Sequence, residues 1–443
     1  MTDMQNKKEF SKSSWSVLLL FGLIGQIAWS VENMYFNLFV FETISPDLSA
    51  VTLMVQLSGV VATVVTLLAG TLSDKMGNRR AFISIGYAIW GVTVSLFGFI
   101  SPETIDVLFN TGIEKAVSLA LVLVIAGDCI MTLFGSTAND AAFNAWVTDN
   151  TCTENRGKIE GVIAILPLVA MLIVAGGFGI LVTAIGYKLL FLFLGILISA
   201  CGIYGIFKIQ DSRELVRSGT LKDIFFGFRP SSVNNNQVFY ITLVIVLIYG
   251  ISCQIFMPYM IIYMKTYLSF SVIEYSIVFG LAILLGAGVN LYLTRLSDKM
   301  NKAGLLYFAA AVMAAGLIGM YFSKTESKTA NLLLFGIFGF VMIVGYIFIS
   351  ALAGSIIRDN TPENSVGKLQ GVRMVFSVLI PMIVGPLIGN AINKARNIPI
   401  TDVNSPDTMT TLFIPAPEIF IAAAGFLIIV FSVIPLLVKM SKK

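Results

Sequence analysis

Histidine does not occur anywhere in this 443-residue chain. Its absence removes imidazole from every proton relay, metal site or nucleophile-activating pair, so any proton carrier must be a carboxylate. Charge is scarce too, at 12% of residues, and the formal net charge of +4 needs no nucleic-acid partner to explain it. Cysteine is limited to Cys129, Cys152, Cys201 and Cys253, three in apolar stretches and one in a polar loop. That spacing implies neither a disulfide framework nor a metal framework. The chain has no phosphate-cradling G-x-x-x-x-G-K-[ST] loop, so pumping driven directly by ATP would need another subunit. The opening MTDMQNKKEFSKSS lacks a cleavage pattern for a secretory leader, and the first apolar stretch is expected to remain as a helix.

What is abundant is hydrocarbon. Hydrophobic residues make up 57% of the chain and the mean hydropathy is +0.88, far above a soluble domain of this length. Apolar stretches long enough to cross a bilayer recur twelve times, at about 15–40, 48–72, 81–100, 115–147, 160–183, 187–208, 237–264, 271–295, 304–322, 331–356, 371–390 and 416–438. We refer to them as spans 1 to 12. They are continuous rather than alternating, which excludes barrel strands and leaves helices. Of the 29 lysines and arginines, 22 fall on the face that carries the N-terminus if successive loops alternate sides. The positive-inside rule then puts both termini in the cytoplasm of a multi-pass protein of the cytoplasmic membrane.

The pentapeptide LSDKM occurs at residues 72–76, leaving span 2, and again at 296–300, leaving span 8. A second pair follows: TDNTCTENRGKIEGV (148–162) leads into span 5 and RDNTPENSVGKLQGV (358–372) into span 11. Asp149, Asn150, Gly157, Lys158 and Gly161 match Asp359, Asn360, Gly367, Lys368 and Gly371. Two collinear repeats at the same point of each half indicate internal duplication. The expected fold is all-α: twelve transmembrane helices in two pseudo-symmetric six-helix bundles, 1–209 and 238–443, joined by a cytoplasmic linker at 210–237. Two such bundles can rock about a central site and open it to alternate sides.

Gly70, Leu72, Asp74, Lys75, Gly77, Arg79 and Arg80 resemble the loop motif G-x-L-x-D-[RK]-x-G-x-[RK]-[RK] of the major facilitator superfamily, in the place between spans 2 and 3 where that motif belongs. The loop after span 8, with Asp298, is similar to its degenerate copy. Asp74 can accept hydrogen bonds from helix N-termini or from an arginine across the seam between the halves, and Gly77 allows a tight turn. Gly70, Asp74, Gly77, Arg79, Arg80 and Asp298 are therefore expected to form a conformational latch.

Charge at the bilayer centre is costly, so embedded carboxylates point to function. Glu32, Asp128 and Asp140 are the candidates, with a proton as the coupling ion. In span 1, Gln26, Trp29, Ser30, Asn33 and Asn37 share one helical face, suited to a sugar by amide hydrogen bonds and aromatic stacking; Glu32 is expected about 120° from that stripe. The span-2 series Thr52, Gln56, Gly59, Thr63, Thr66 and Gly70 is more in keeping with a close helix contact than with a ligand site. Asp140, Phe143, Asn144 and Trp146 are similar to the helix-4 pattern D-x-P-[FY]-x-[SA]-[LM]-x-P of the glycoside–pentoside–hexuronide:cation symporters, the melibiose-carrier group. That resemblance assigns sugar binding to Asp140, with Asn144 alongside. Both prolines of the pattern are replaced, by Ala142 and Thr148. Sodium-using members of that group carry two acids on helix 2, where this chain has Ala62 and Thr66, so a sodium site of that kind is not expected.

The second half offers a neutral wall, with Gln254 and Tyr346 as substrate-binding candidates and Pro258, Tyr259, Tyr263, Asn290 and Ser350 nearby. Pro381 and Pro386 would kink span 11. The expected function is secondary transport of a sugar or glycoside by proton-coupled alternating access, with no cofactor, no nucleic acid and no enzymatic activity. A drug or metabolite exporter of the same superfamily is the alternative. A polytopic membrane enzyme or receptor is the alternative from a different class, and an enzyme would be expected to show paired catalytic groups at one membrane face.

Overall fold

The structure is a computed structural model that describes residues 10–110, 112–151, 156–211, 226–297, 300–361, 366–399 and 412–440. Among the described residues, eleven helical stretches are long and apolar enough to cross a membrane. Ten agree with the expected spans to within a few residues: Lys12–Ile44, Leu48–Met76, Arg79–Phe97, Ile113–Asp149, Gln237–Thr266, Val272–Arg295, Lys302–Tyr321, Lys328–Asp359, Leu369–Arg396 and Glu418–Met440. The other, Gly161–Lys208, holds 48 residues, about 72 Å of helix and more than twice the hydrocarbon thickness. Gly186 breaks it with φ 76° and ψ 164°, a conformation that favours glycine. The helix is broken there, so spans 5 and 6 are separate crossings and the described residues make twelve.

Helix ends follow local chemistry. Asn78 accepts from the Ala81 amide at 3.0 Å to start span 3, and Asn301 accepts from the Ala303 amide at 3.0 Å to start span 9. These are N-caps at equivalent places in the two halves. Gly77, at φ 63°, ends span 2 in the left-handed region, as the loop motif requires. In the loop between spans 3 and 4 the structure departs from expectation: Pro102–Phe109 is a helix, capped by Ser101 and started by proline at its first position. Its Val107, Leu108 and Phe109 are exposed.

Glycines let helices touch backbone to backbone, the usual device where lipid gives no hydrophobic drive between helices. A Cβ added to Gly195 on span 6 would meet the Ser95 amide nitrogen of span 3 at 2.7 Å. A Cβ on Gly345 of span 10 would meet the Met313 Cα of span 9 at 2.7 Å. Several spans are interrupted by π-helical turns, at Glu32–Phe36, Val40–Ile44, Ser136–Phe143, Val174–Phe178 and Val375–Leu379. The last lies just before Pro381, whose ring removes a backbone donor and disturbs the preceding turn.

The repeats fold alike. Asn150 and Asn360 each turn their side-chain amide back to a carbonyl four residues earlier, Trp146 and Ile356, both at 2.8 Å. Thr151 and Thr361 do the same to Val147 and Ile357 at 2.5 and 2.6 Å. The two polar motifs therefore build the same helix ending in each half.

The halves meet toward the face opposite the N-terminus. Thr52 and Tyr259 share a hydrogen bond at 2.7 Å, and Tyr259 also reaches the Pro386 carbonyl at 3.0 Å. Gln56 donates to the Ile383 carbonyl at 2.9 Å, Asn390 to Ser49 at 3.3 Å, and Lys265 pairs with Glu42, which also accepts from Tyr187 at 2.8 Å. Gly59 faces Met382: a Cβ there would lie 2.7 Å from the methionine Cβ. The small and polar series on span 2 is thus a helix contact. These cross-half bonds of Thr52, Gln56, Ser49 and Glu42 lie on this side.

Candidate substrate and coupling site

Span 1 supplies the first wall. Gln26, Trp29 and Ser30 are half-buried and Asn33 is exposed, although all four sit inside a membrane helix. Asn37 departs from the expected stripe and is buried, at 1% exposure. The cause is the π-helical turn Glu32–Phe36. Five residues of α-helix advance about 140° beyond a full turn, whereas i→i+5 bonding brings such residues closer to one face. Glu32 and Asn37 consequently line one narrow cavity, together with Asn33, Ser58 and Asp128. The expectation that Glu32 stands well apart from the stripe fails for this reason.

Within that cavity Ser58 donates to Glu32 Oε1 at 2.8 Å, and Thr132 lies 2.9 Å from Ser58 and 3.2 Å from the same carboxylate oxygen. Glu32 and Asp128 are 6% and 1% exposed. Neither Ser58 nor Thr132 was singled out from sequence. Thr132 could have been, because it follows Asp128 by four residues and so shares its helix face.

Asp140 sits apart from this cluster, in the π-helical stretch Ser136–Phe143. It accepts from Ser136 Oγ at 3.1 Å and Asn139 Nδ2 at 3.2 Å, and the Trp29 indole lies beside it without completing a hydrogen bond. Asn139 is anchored by Tyr87, whose hydroxyl lies 2.8 Å from Asn139 Oδ1 and 2.7 Å from the Phe21 carbonyl. Trp29 leans on Trp90, ring centroids 5.0 Å apart, over Gly135, where a Cβ would come within 2.9 Å of the Trp29 ring. Tyr87 and Trp90 lie on the buried stripe Ile83, Tyr87, Trp90, Val94 and Phe97 of span 3, whose 3–4 spacing is the signal that could have found them. The irregular helix falls where the sugar-symporter pattern has its first proline, so span 4 keeps a local distortion without the ring. Asn144 stands exposed one turn further and donates to the Asp140 carbonyl at 3.0 Å.

The second half contributes less than expected. Gln254 and Tyr346 are half-buried; Tyr346 packs against Tyr249, centroids 5.7 Å apart, and its carbonyl accepts from the Tyr249 hydroxyl at 3.1 Å. Tyr259 and Tyr263 are fully buried, and Asn290 bonds the Gly286 and Val344 carbonyls at 2.9 and 3.1 Å, so these three are packing groups and not a binding wall.

The latch residues form a network inside the N-terminal half. Arg79 is 4% exposed and binds Asp74, Asp149 at 3.0 Å and Ser73 Oγ at 2.5 Å. Arg80 is held by Asp211 at 2.9 Å through its amide and by the Ile206 carbonyl through its side chain. Among the described residues, Asp74 is therefore paired within its own half and not across the seam: Arg79, five residues on at the start of span 3, reaches it first. Gly70 is half-buried on span 2, with the Ala141 Cβ 4.0 Å from its own Cβ position. Asp298 lies outside the described residues.

Twelve apolar crossings in two similar halves, closed on one face around embedded carboxylates, describe a carrier for small molecules. The family model of the Major Facilitator Superfamily matches residues 18–386, and the chain belongs to that superfamily of transporters. It is 25% identical over 221 residues to a protein described as a multi-drug resistance efflux pump PmrA homolog from Lactococcus lactis subsp. lactis (strain IL1403). That match covers 48% of this chain and 51% of the relative, so the chain spans about half the length of the curated relative it matches. Among solved structures, a D-xylose–proton symporter superposes with a TM-score of 0.71 at 12% identity, over 95% of this chain and 96% of the other. The nucleoside transporter NupG gives 0.66 at 11% identity, over 96% of this chain and 98% of the other. At such identities the likeness is one of fold.

Proposed function

We propose that this chain exports organic cations from the cytoplasm in exchange for protons. The halves 1–209 and 238–443 would rock about the centre, with 210–237 as linker and both termini cytoplasmic. In that orientation the bonds from Thr52, Gln56, Ser49 and Glu42 to the second half close the outer side. The observation that carries the reading is that Glu32, Asp128 and Asp140 are embedded in the N-terminal half, and among the described residues no lysine or arginine is ion-paired with any of them. An uncompensated carboxylate in low dielectric attracts either a proton or a positively charged substrate. Asp140 can hold one or the other, which is the elementary requirement for exchange. The partial likeness to an efflux pump supports the same direction.

A second reading, proton-coupled uptake of a sugar or glycoside, is favoured by the span-4 segment Asp140 to Trp146 and by the polar stripe Gln26, Trp29, Asn33. Everted membrane vesicles distinguish the two. We expect ethidium accumulation that follows an imposed pH gradient and vanishes in Asp140→Asn. Accumulation of labelled glycosides driven by protons, with ethidium untouched, would overturn the export reading in favour of the second.

A further inference from the structure

The cavity between Glu32 and Asp128 does not include Asp140, and it is small. It has room for about one water-sized particle, which excludes an organic substrate. Three acceptor oxygens in its wall, Glu32 Oε2, Asp128 Oδ1 and Asn37 Oδ1, are buried with no hydrogen-bond partner. Buried acceptors are nearly always satisfied, so three together around one void mark a place for a bound water, a proton or a cation. No lysine or arginine lines the cavity.

We propose that this cavity is a sodium site, with Na⁺ held by Glu32, Asp128 and the Asn37 carbonyl oxygen beside the Ser58 hydroxyl. The donor set is entirely oxygen and contains only two carboxylates. That suits a hard monovalent cation, and it offers neither the nitrogen or sulfur ligands of a transition metal nor the charge of a divalent site. Among the described residues, no group of three or more histidine, cysteine, aspartate or glutamate side chains is placed to hold a metal ion. The π-helical turn Glu32–Phe36 breaks span 1 at this level, and interrupted helices near the bilayer midplane are where transporters place coupling ions.

The sequence argued against sodium because span 2 carries no acid. Here span 2 contributes the Ser58 hydroxyl while spans 1 and 4 contribute the carboxylates. Met382, from the C-terminal half, covers the cavity, so occupancy and rocking are linked. The proposal deepens the transporter reading by naming a second ion, and rests on that reading only for its consequence in transport.

The test is Na⁺ binding to the purified protein in lipid nanodiscs at pH 8, by scintillation proximity with ²²Na⁺ and by melting temperature against equal choline chloride. We expect saturable, Na⁺-specific binding and stabilisation. Glu32→Gln and Asp128→Asn should weaken binding at least tenfold and Asn37→Ala severalfold, whereas Asp140→Asn, which stops transport, should still bind. If the acidic variants fail to fold, Asn37→Ala and the wild-type salt comparison carry the test. The titratable groups around the pair are Cys129 and Asp140. A cavity that takes only protons would respond to pH and not to Na⁺, and would overturn the proposal, as would equal effects of sodium and choline. Loss of Na⁺ binding with ethidium export intact rejects the sodium site alone; Na⁺ binding without export rejects the export reading alone.

Discussion

The two halves use the same repeated residues for one purpose and have diverged in another. At the N-terminal face each half ties the start of its third helix to the end of its fourth: Arg79 to Asp149 in the first, Lys302 to Asp359 at 2.8 Å in the second. The acids are counterparts in the repeat, while the bases occupy different positions of it, so the tie persists through different donors. At the membrane centre the likeness ends. The first half buries Glu32 and Asp128 and half-buries Asp140, and the second presents tyrosines and an amide. On the proposed reading, chemistry is concentrated in one bundle and the other closes over it.

That contrast can be broken at its strongest point first. Asp140→Asn should lower proton-driven transport by roughly 10²-fold or more while the protein still inserts, whereas Gln254→Ala in the facing bundle should cost less than about tenfold; vesicle transport rates compare them. Next, Arg79→Ala removes a buried cation from two carboxylates and should destabilise the fold by roughly 2–3 kcal/mol. Lys302→Ala breaks a half-exposed pair, Lys302 being 31% and Asp359 53% exposed in their side chains, and should cost about 0.5 kcal/mol. Thermal unfolding in detergent measures both, and equal losses would mean that the two ties are equivalent after all. Third, Gly59→Leu should push Met382 away and disfavour closure of the seam, read as reduced disulfide crosslinking of a Ser49→Cys, Asn390→Cys pair. The smallest effect belongs to Glu42→Gln. Its exposed pair with Lys265 contributes about 0.2–1 kcal/mol, so the variant should shift the closed population modestly, and less at high salt.

The architecture was legible in the sequence because hydrocarbon imposes it. Spans, their number and the loop motif all follow from length, apolarity and the glycine that must turn at positive φ. Orientation by charge is an expectation of the same kind. The site was legible in part. Glu32, Asp128 and Asp140 stand out because charge in a membrane is rare, but which neighbours they meet depends on π-helical turns at Glu32–Phe36 and Ser136–Phe143. Periodicity at 3.6 residues per turn cannot anticipate those turns. Hence Glu32 joins Asn33 and Asn37 of the stripe around one cavity, and Ser58, an unremarked serine beside Gly59, becomes the donor to the carboxylate. Tyr259 and Tyr263 are taken up by packing for simpler reasons: the Tyr259 hydroxyl bonds the Pro386 carbonyl, and the Tyr263 ring packs against Tyr267, Phe335 and Phe420.

The account depends on two bundles that open on one face as they close on the other. Spin labels at Lys75 and Met300 report the N-terminal face, and labels at Glu103 and Glu326 the opposite one. On addition of a transported cation with an imposed pH gradient, pulsed electron resonance should show the first distance shortening while the second lengthens. Distances that stay fixed, or that change in the same direction at both faces, would contradict it.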